Sequence, residues 1–457
     1  MGSDIDIEQE ITNWKQALKE QAGLSADDLQ ELEDHLRDQM DELERGGLAK
    51  REALLIAMLR LGQPQNLIAE LSKVHSDRLW KQLFAPSHTT AQAAGHSRRE
   101  LVQVILAAVL AALLGKIPLL FGISLSDPTG GGEEFYFRNL SLFVAPVLLC
   151  GFYFWRRFST PLVAWLAGML LITALTANLY PFQPGSNTSG LVALHMPLLL
   201  WLVIGVAYCG DDWRSTRAVW DFTRYSGEFF IYSVLIAAGG MVFMALATAF
   251  AEALGIQAEN FLMEWVGFSG LLGVPIVAAY LAEKKRSLIA NMAPMLAKIF
   301  IPLFLLLMVA LILTITVLGQ DLMQDRNTLI LIDILLMLVV GMVLYDLSAR
   351  DEAAPFGPAD TLNLALMLAA IIIDCYALAG IAGRLGLYGF SPNKTAALGE
   401  NILLLANLAG LAVGYIKYAL RQGSLQHLLS IQTRFWPFYL VWLAFVVWIM
   451  PLLYNFR

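Results

Sequence analysis

The chain has 457 residues, of which 57% are hydrophobic and only 15% charged, with a mean hydropathy of +0.60. These values exclude an ordinary water-soluble domain and mark a polytopic membrane protein. The formal net charge is −7, and most of it resides in the first hundred residues, which argues against nucleic acid as a partner.

The first hundred residues contain no basic stretch followed by an apolar one, so no cleavable signal peptide is expected and the N-terminus is expected to stay in the cytoplasm. Residues 1–75 read as a compact bundle of helices. Ile7, Ile11, Trp14 and Leu18 form one apolar stripe, and Gly23 ends that helix. Ser25 with Asp28 resembles a capping box and opens a second helix through Leu29, Leu32, Leu36, Met40 and Leu43, stopped by Gly46 and Gly47. A third helix spans about 49–61, and a fourth starts at Pro64 and runs through Leu67, Ile68, Leu71 and Val74. The acidic run from Glu31 to Glu44 reads as a solvated helix face, and His35 as a surface or capping histidine rather than a ligand. Residues 76–99 read as a linker, with an amphipathic patch at Leu79, Trp80, Leu83 and Phe84 that can rest on a membrane surface.

This segment carries a resemblance. An acidic amphipathic helix with a central histidine (His35), a glycine turn (Gly46, Gly47), then Glu52-Ala53 and Gly62 to Pro64, is similar to the permease-prefix or signalling helical domains that precede membrane regions in bacterial proteins. The resemblance implies a cytoplasmic interaction or regulatory module that binds a protein partner through residues 1–75.

From residue 100 onward the chain is a series of apolar runs, each near the ~20 residues that a helix needs to cross the hydrocarbon layer. Eleven spans are expected, at about 101–123, 139–155, 161–180, 191–209, 228–251, 265–282, 299–319, 328–347, 361–383, 396–416 and 436–454. The fold class is therefore all-α: a membrane domain over 100–457 behind a small helical bundle. Alternate loops are basic. Arg98, Arg99, Arg156, Arg157, Arg214, Arg217, Arg224, Lys284, Lys285, Arg286, Arg350, Lys417, Arg421 and Arg434 fall on one side. The other side holds only Arg138, Arg326, Arg384 and Lys394, with Arg457 at the far end. The positive-inside rule then places the N-terminus in the cytoplasm and the C-terminus outside; the resemblance of the prefix to domains of bacterial membrane proteins implies a bacterial inner membrane. Trp155, Trp201, Trp213, Trp265, Trp436, Trp442 and Trp448 lie mostly near run ends and read as interface anchors. Gly239, Gly240, Gly267, Gly270, Gly273, Gly410 and Gly414 read as sites of close helix packing. Cys150, Cys209 and Cys375 stand singly, show no disulfide framework or zinc spacing, and read as buried structural thiols.

Ionisable groups inside spans are where function is sought. Lys116, His195, Asp333, Asp374 and Glu400 all fall in the outer half, with Asn401 beside Glu400, and Asn178 and Asn407 flanking the layer. Two readings stay open. Either these groups line a polar cavity open to the outside, with Lys116 paired to Asp333, Asp374 or Glu400, or they are interhelical ties. Pro118 is placed to kink the first span.

The link between spans nine and ten carries a second resemblance. Arg384-Leu-Gly-Leu-Tyr388-Gly389-Phe390-Ser391-Pro392-Asn393-Lys394, followed by Asn401, resembles the signature of a bacterial multi-span family known as domain of unknown function 4153. Lys394 stands where Arg is expected, which removes a bidentate contact. The resemblance implies a many-span layout and no activity. From the residues themselves, Tyr388-Gly389 suggests a turn, Ser391-Pro392 a helix start and Asn393 a cap.

No enzyme constellation is present. GxSxG, HExxH, GxxxxGK[ST] and paired-cysteine motifs are all missing, and Gly130 to Gly132 before Glu133 and Glu134 reads as a flexible turn. No catalytic residue, metal ligand or cofactor is assigned. Three functional readings follow. The first is an envelope sensor or regulatory membrane protein acting through its helical prefix. The second is an ion-coupled transporter of a small solute using Asp374, Asp333 and Lys116. The third is a membrane-embedded transferase with Glu400 or Asp374 as base and a clamp from Arg384 and Lys394.

Overall fold

The computed structural model describes residues 91–125, 131–254, 256–284, 293–317, 326–350 and 356–457, together with Glu33, Leu36, Arg37, Met40, Leu43 and Leu54. The chain divides into two units, Met1–Ser97 and Arg98–Arg457. In the first, Leu36, Met40 and Leu43 are helical and buried, at the periodic positions expected of the second prefix helix. Arg37 bonds Glu33 one turn earlier at 2.8 Å. Leu54, in the expected third helix, is helical and buried as well. The other prefix helices, His35 and the patch at Leu79 to Phe84 lie outside the described residues.

The second unit is built from helices. Among the described residues these are α1 (Ala91–Leu114), α2 (Gly131–Arg156), α3 (Thr160–Leu179), α4 (Asn187–Cys209), α5 (Thr216–Ala253), α6 (Glu259–Lys284), α7 (Ala293–Val317), α8 (Arg326–Ser348), α9 (Pro358–Tyr388), α10 (Pro392–Ala419) and α11 (Leu425–Leu453). Among the described residues eleven segments are long and apolar enough to cross a membrane, and each overlaps an expected span, although α2, α5 and α11 begin about two to three turns earlier than expected because polar residues extend the apolar run as helix. This supports a multi-pass membrane protein. α1 starts at Ala91, inside the stretch read as a linker, because Ala-Gln-Ala-Ala is a good helix-forming sequence that joins smoothly onto the apolar run.

Helix ends follow local chemistry. Ser186 and Ser424 cap α4 and α11 by accepting from the backbone N–H three residues on. α9 opens with Gly357 N donating to Asp360 Oδ2 at 2.7 Å and stops at Gly389, whose φ of 70° suits a residue without a Cβ. Pro118 does more than kink α1. The α-helix ends at Leu114, and Ile117–Phe121 continues as a 3-10 turn because proline offers no N–H. Two π turns, Leu262–Gly267 in α6 and Phe445–Ile449 in α11, have carbonyls met by side chains from other helices: Lys116 donates to Glu264 O, and the Tyr180 hydroxyl to Trp448 O.

Two cores hold the unit together. The first joins α1 to α6 with the second half of α11 and is aromatic. Phe152, Tyr208, Phe222 and Tyr225 are buried, and Trp201 stacks on Phe229 with centroids 4.2 Å apart. The second joins α7 to α10 with the first half of α11 and is built from aliphatic residues such as Leu336, Val339, Met367, Leu408 and Leu411. α5 contributes to both, with Phe222 and Tyr225 in the first core and Trp220 in the second, where its indole donates to Leu429 O at 2.9 Å. Its apolar second half is buried nowhere in its most hydrophobic window and presents an apolar surface, as do exposed residues of α1 and α7.

Several expectations change. Cys150 and Cys375 are exposed on outward helix faces and Cys209 is only partly covered, so none is a buried core thiol. Trp201 and Trp436 belong to the aromatic core, whereas Trp155 and Trp265 stay exposed. Gly414 and Gly410 do meet facing side chains, but Gly239, Gly240 and Gly270 have no neighbour a Cβ would touch. The tightest crossings use glycines the pattern did not single out. A Cβ on Gly227 would sit 2.2 Å from the Tyr345 ring, and one on Gly399 2.0 Å from Trp442. Each glycine lies alone in its run, without the small-residue spacing that flagged the others.

Candidate functional site

The polar residues gather on four helices, α4, α8, α9 and α10, at the α9–α10 loop end of the second core. His195 lies about two turns into α4 and Glu400 about two turns into α10, so both sit ~12 Å below the helix starts. His195 Nδ1 bonds Leu191 O at 2.7 Å, and Nε2 meets Glu400 Oε1. The carbonyl can only accept, so Nδ1 carries a proton. The Nε2–Oε1 contact then requires a second proton on one partner or the other.

The same helical level holds Asp333 of α8 and Asn401 of α10. Asn401 Nδ2 donates to Asp333 Oδ1 and to Ala397 O, both at 2.8 Å, which uses both of its hydrogens. About one further helical level down, Asn407 Nδ2 donates to the Tyr439 hydroxyl at 2.8 Å. Asp374, near the middle of α9, is fully buried and lies within electrostatic reach of both Asp333 and Tyr439. Among the described residues neither of its carboxylate oxygens has a hydrogen-bond partner, and the same holds for Asn401 Oδ1 and Asn407 Oδ1. Such orphaned acceptors in a membrane interior call for a proton, a cation or water.

Lys116 does not join this group. Its ammonium caps the π turn of α6 and lies 4.7 Å over the exposed Trp265 ring and 5.4 Å over Phe268 of the first core. No described contact pairs it with Asp333, Asp374 or Glu400. Glu264, beside it, accepts from Ser124 Oγ at 2.6 Å. Asn178 likewise turns to Asn139 of α2, at 2.8 Å. Of the sequence candidates, His195 and Glu400 form one pair, Asp333 and Asn401 another, and Asp374 stands between the Asp333 and Asn407 networks.

The loop signature is largely self-contained. Lys394 Nζ donates to Gly389 O at 2.9 Å and to Arg384 O at 3.3 Å, and lies 5.3 Å over the Tyr388 ring. A single ammonium does this with two carbonyls, so no bidentate arginine fork is required. Asn393 is not the cap. Ser391 takes that role, and Asn393 Nδ2 instead reaches Asn187 Oδ1 at 2.7 Å, tying the loop to α4. A cleft of about 330 Å³ opens here, lined by residues including Asn187, Phe390, Ser391, Tyr454 and Arg457.

A second polar layer, not singled out from the sequence, lies at the opposite end of three of these helices, α8, α9 and α10. Arg350 pairs with the buried carboxylate of Asp360, and Asn363 Nδ2 donates to Asp346 Oδ2 at 2.7 Å, with Tyr415 buried beside them. Asp333 and Asp346 on α8, Asp374 and Asp360 on α9, and Asn401 and Tyr415 on α10 are each separated by about four turns, ~20 Å. That repeated interval was the available signal. Asp346 and Asp360 lie at span ends, where carboxylates are ordinary, so composition does not mark them. Between the layers the core is largely aliphatic, with Leu336, Val339, Met367, Ala370 and Leu408 fully buried.

No group of three or more His, Cys, Asp or Glu that could hold a metal ion is found among the described residues. Comparison with protein-family models, curated proteins and solved structures finds no match to this chain.

Proposed function

We propose that this chain is an ion-coupled carrier of a small solute in a bacterial inner membrane, with Asp374 as its coupling group. The observation that carries this reading is the Asp374 carboxylate, buried at the middle of a transmembrane helix with both oxygens unpartnered among the described residues. Interhelical ties satisfy their polar atoms; a group whose occupant comes and goes leaves them open. The His195–Glu400 contact, which needs an extra proton, adds a second exchangeable group nearer the α9–α10 loop. Lys116 has no part in the coupling, because its charge is spent on the α6 turn.

The orientation proposed rests on the charge pattern: the ends carrying Arg156, Arg157, Arg214, Arg217 and Lys417 face the cytoplasm, and the α9–α10 loop faces outward. The likeness of that loop to the domain of unknown function 4153 signature agrees with a many-span membrane protein and adds no substrate.

A second reading, an envelope sensor or regulatory protein whose prefix recruits a cytoplasmic partner, is favoured by the separation of Met1–Ser97 as its own unit. The two diverge in proteoliposomes. A carrier gives a transient charge movement on a jump in external Na⁺ or pH, and Asp374→Asn removes it while the protein still elutes as a monodisperse species. Absence of any current from the wild-type chain under both jumps rejects the carrier and leaves the regulatory reading, which a pull-down with and without residues 1–75 then tests.

A further inference from the structure

We propose that the cleft beside the α9–α10 loop is a binding site for a small organic anion, a carboxylate or phosphate ester with an apolar part, anchored by the Arg457 guanidinium. This rests on the carrier reading and deepens it by naming the class of solute, and it is tested by binding rather than by transport.

The cleft lies where three segments meet. The first turns of α4 and α10 are tied by Asn393 Nδ2, which donates to Asn187 Oδ1 at 2.7 Å. Residues 454–457, just after α11, fold back as a hook. Asn455 and Phe456 are both left-handed, with φ of 49° and 60°, a conformation that two consecutive non-glycine residues adopt only where their surroundings hold them in it. Gln183 N donates to Phe456 O at 3.3 Å and Thr188 N to Arg457 O at 3.1 Å, while the Phe456 ring packs edge-on against Tyr180 and Phe182. The Tyr454 hydroxyl meets Thr395 Oγ1 of α10 at 2.5 Å. Backbone bonds and ring packing thus fix the hook, and the Arg457 side chain is free for another purpose.

The lining defines what can occupy the cleft of about 330 Å³. Arg457 is its only charged lining residue, and the guanidinium has no hydrogen-bond or ion-pair partner among the described residues. Basic residues are scarce at this end of the helices, so the bias that populates the other end with cations does not account for it. With no carboxylate in the lining, nothing there offsets the repulsion of a cation. The amides of Asn187 and Asn455 add hydrogen-bonding groups, and Phe390, 70% exposed, with Pro392 and Leu453 supplies an apolar wall. A guanidinium fork matches a carboxylate or phosphate, whereas a bare inorganic ion would leave the apolar wall unused. The volume is at the low end for small-molecule sites, too small for a polymer.

The cleft also stands over the polar pair. His195 follows Asn187 by eight positions on α4, and Glu400 follows Pro392 by eight on α10, a depth of ~12 Å. At the intervening level Leu191 and Tyr454 pack against an apolar cluster that includes Ala396 and Met450. One apolar layer therefore floors the cleft above His195 and Glu400.

The test uses the full chain purified in a zwitterionic detergent, with fluorobenzoate as the probe and fluorine NMR line broadening read against empty micelles. Fluorobenzylammonium, similar in size and opposite in charge, is the control at equal ionic strength. The expected result is saturable broadening of the anion alone, displaced by glycerol phosphate. Affinity is expected to fall about tenfold in Arg457→Gln, to recover partly in Arg457→Lys, and to fall about threefold in Phe390→Ala. Both side chains are exposed, so these variants are expected to keep the wild-type unfolding midpoint. Lys417→Gln, at the other end of α10, is expected to bind the probe like the wild type. Equal broadening of the two probes overturns the site, as does wild-type affinity in Arg457→Gln or no saturable broadening of the anion at about 10 mM. Displacement by phosphatidylglycerol but not by glycerol phosphate assigns the cleft to a lipid headgroup and overturns the solute. Arg457-dependent binding without any current in proteoliposomes supports the site and rejects the carrier, and current without probe binding does the reverse.

Discussion

The two cores of the membrane unit solve the same packing problem with different chemistry. In the first, stacked and edge-on aromatic rings fill the space between α2, α4 and α5. The polar tips there find partners at once, as when the Tyr225 hydroxyl donates to Ala279 O at 3.1 Å. In the second, aliphatic side chains are interrupted at two levels by carboxylates and amides, and one carboxylate is left open. Lipid removes the hydrophobic drive between helices, so helix association rests on packing and hydrogen bonds. A core that carries an unsatisfied charge is therefore retaining a cost, and the aromatic half supplies a scaffold that tolerates it.

Substitutions can break this contrast, and the largest effect is expected at the second polar layer. Arg350→Met leaves the Asp360 carboxylate, which is 1% exposed, with only the Gly357 N–H and no counter-charge, and is expected to destabilise the protein by about 3–5 kcal/mol. Adding Asp360→Asn is expected to recover much of that loss in thermal unfolding. An Arg350→Met midpoint equal to the wild type means that this layer does not tie α8 to α9.

Asp374→Leu acts in the opposite direction. Removing an unpartnered buried charge is expected to stabilise the protein by about 1–4 kcal/mol. A loss of stability instead indicates that Asp374 is a structural tie, and the contrast between the cores then fails at its main point.

Phe152→Leu carries the smallest effect, on the order of 1–2 kcal/mol, from the atoms removed and the small void left among Trp155, Tyr208 and Tyr225. It sharpens the comparison because only packing is lost: an unfolding midpoint lowered as far as in Arg350→Met shows that the aromatic core tolerates change no better than the polar layer.

Much of the architecture was legible in the residues. Hydropathy summed over a span is a local property, and it located the eleven spanning helices among the described residues; Gly389 and Ser391-Pro392 marked a helix end and a helix start by their own chemistry. The candidate site was only half legible. His195, Asp333, Asp374, Glu400 and Asn401 stood out as costly residues in apolar runs, but cost does not name a partner. Lys116 carries as much charge as any of them, yet its neighbour is a carbonyl of α6. That carbonyl is within reach because a π turn presents it, and nothing in the residues around Glu264 announces a π turn.

The sequence by itself therefore determined that this is a many-span helical protein, which loops are basic, and which side chains are expensive to bury. Those follow from composition over a turn or a span. Only the tertiary structure decided that the expensive groups divide between two cores, that His195 meets Glu400 while Asn401 meets Asp333, and that Asp374 is left with open oxygens. It also placed a second polar layer ~20 Å away on α8, α9 and α10. The physical reason is rotation. Hydropathy sets the depth of a residue along its helix, but which neighbour it faces is set by how ridges, glycines and aromatic rings fix each helix about its own axis.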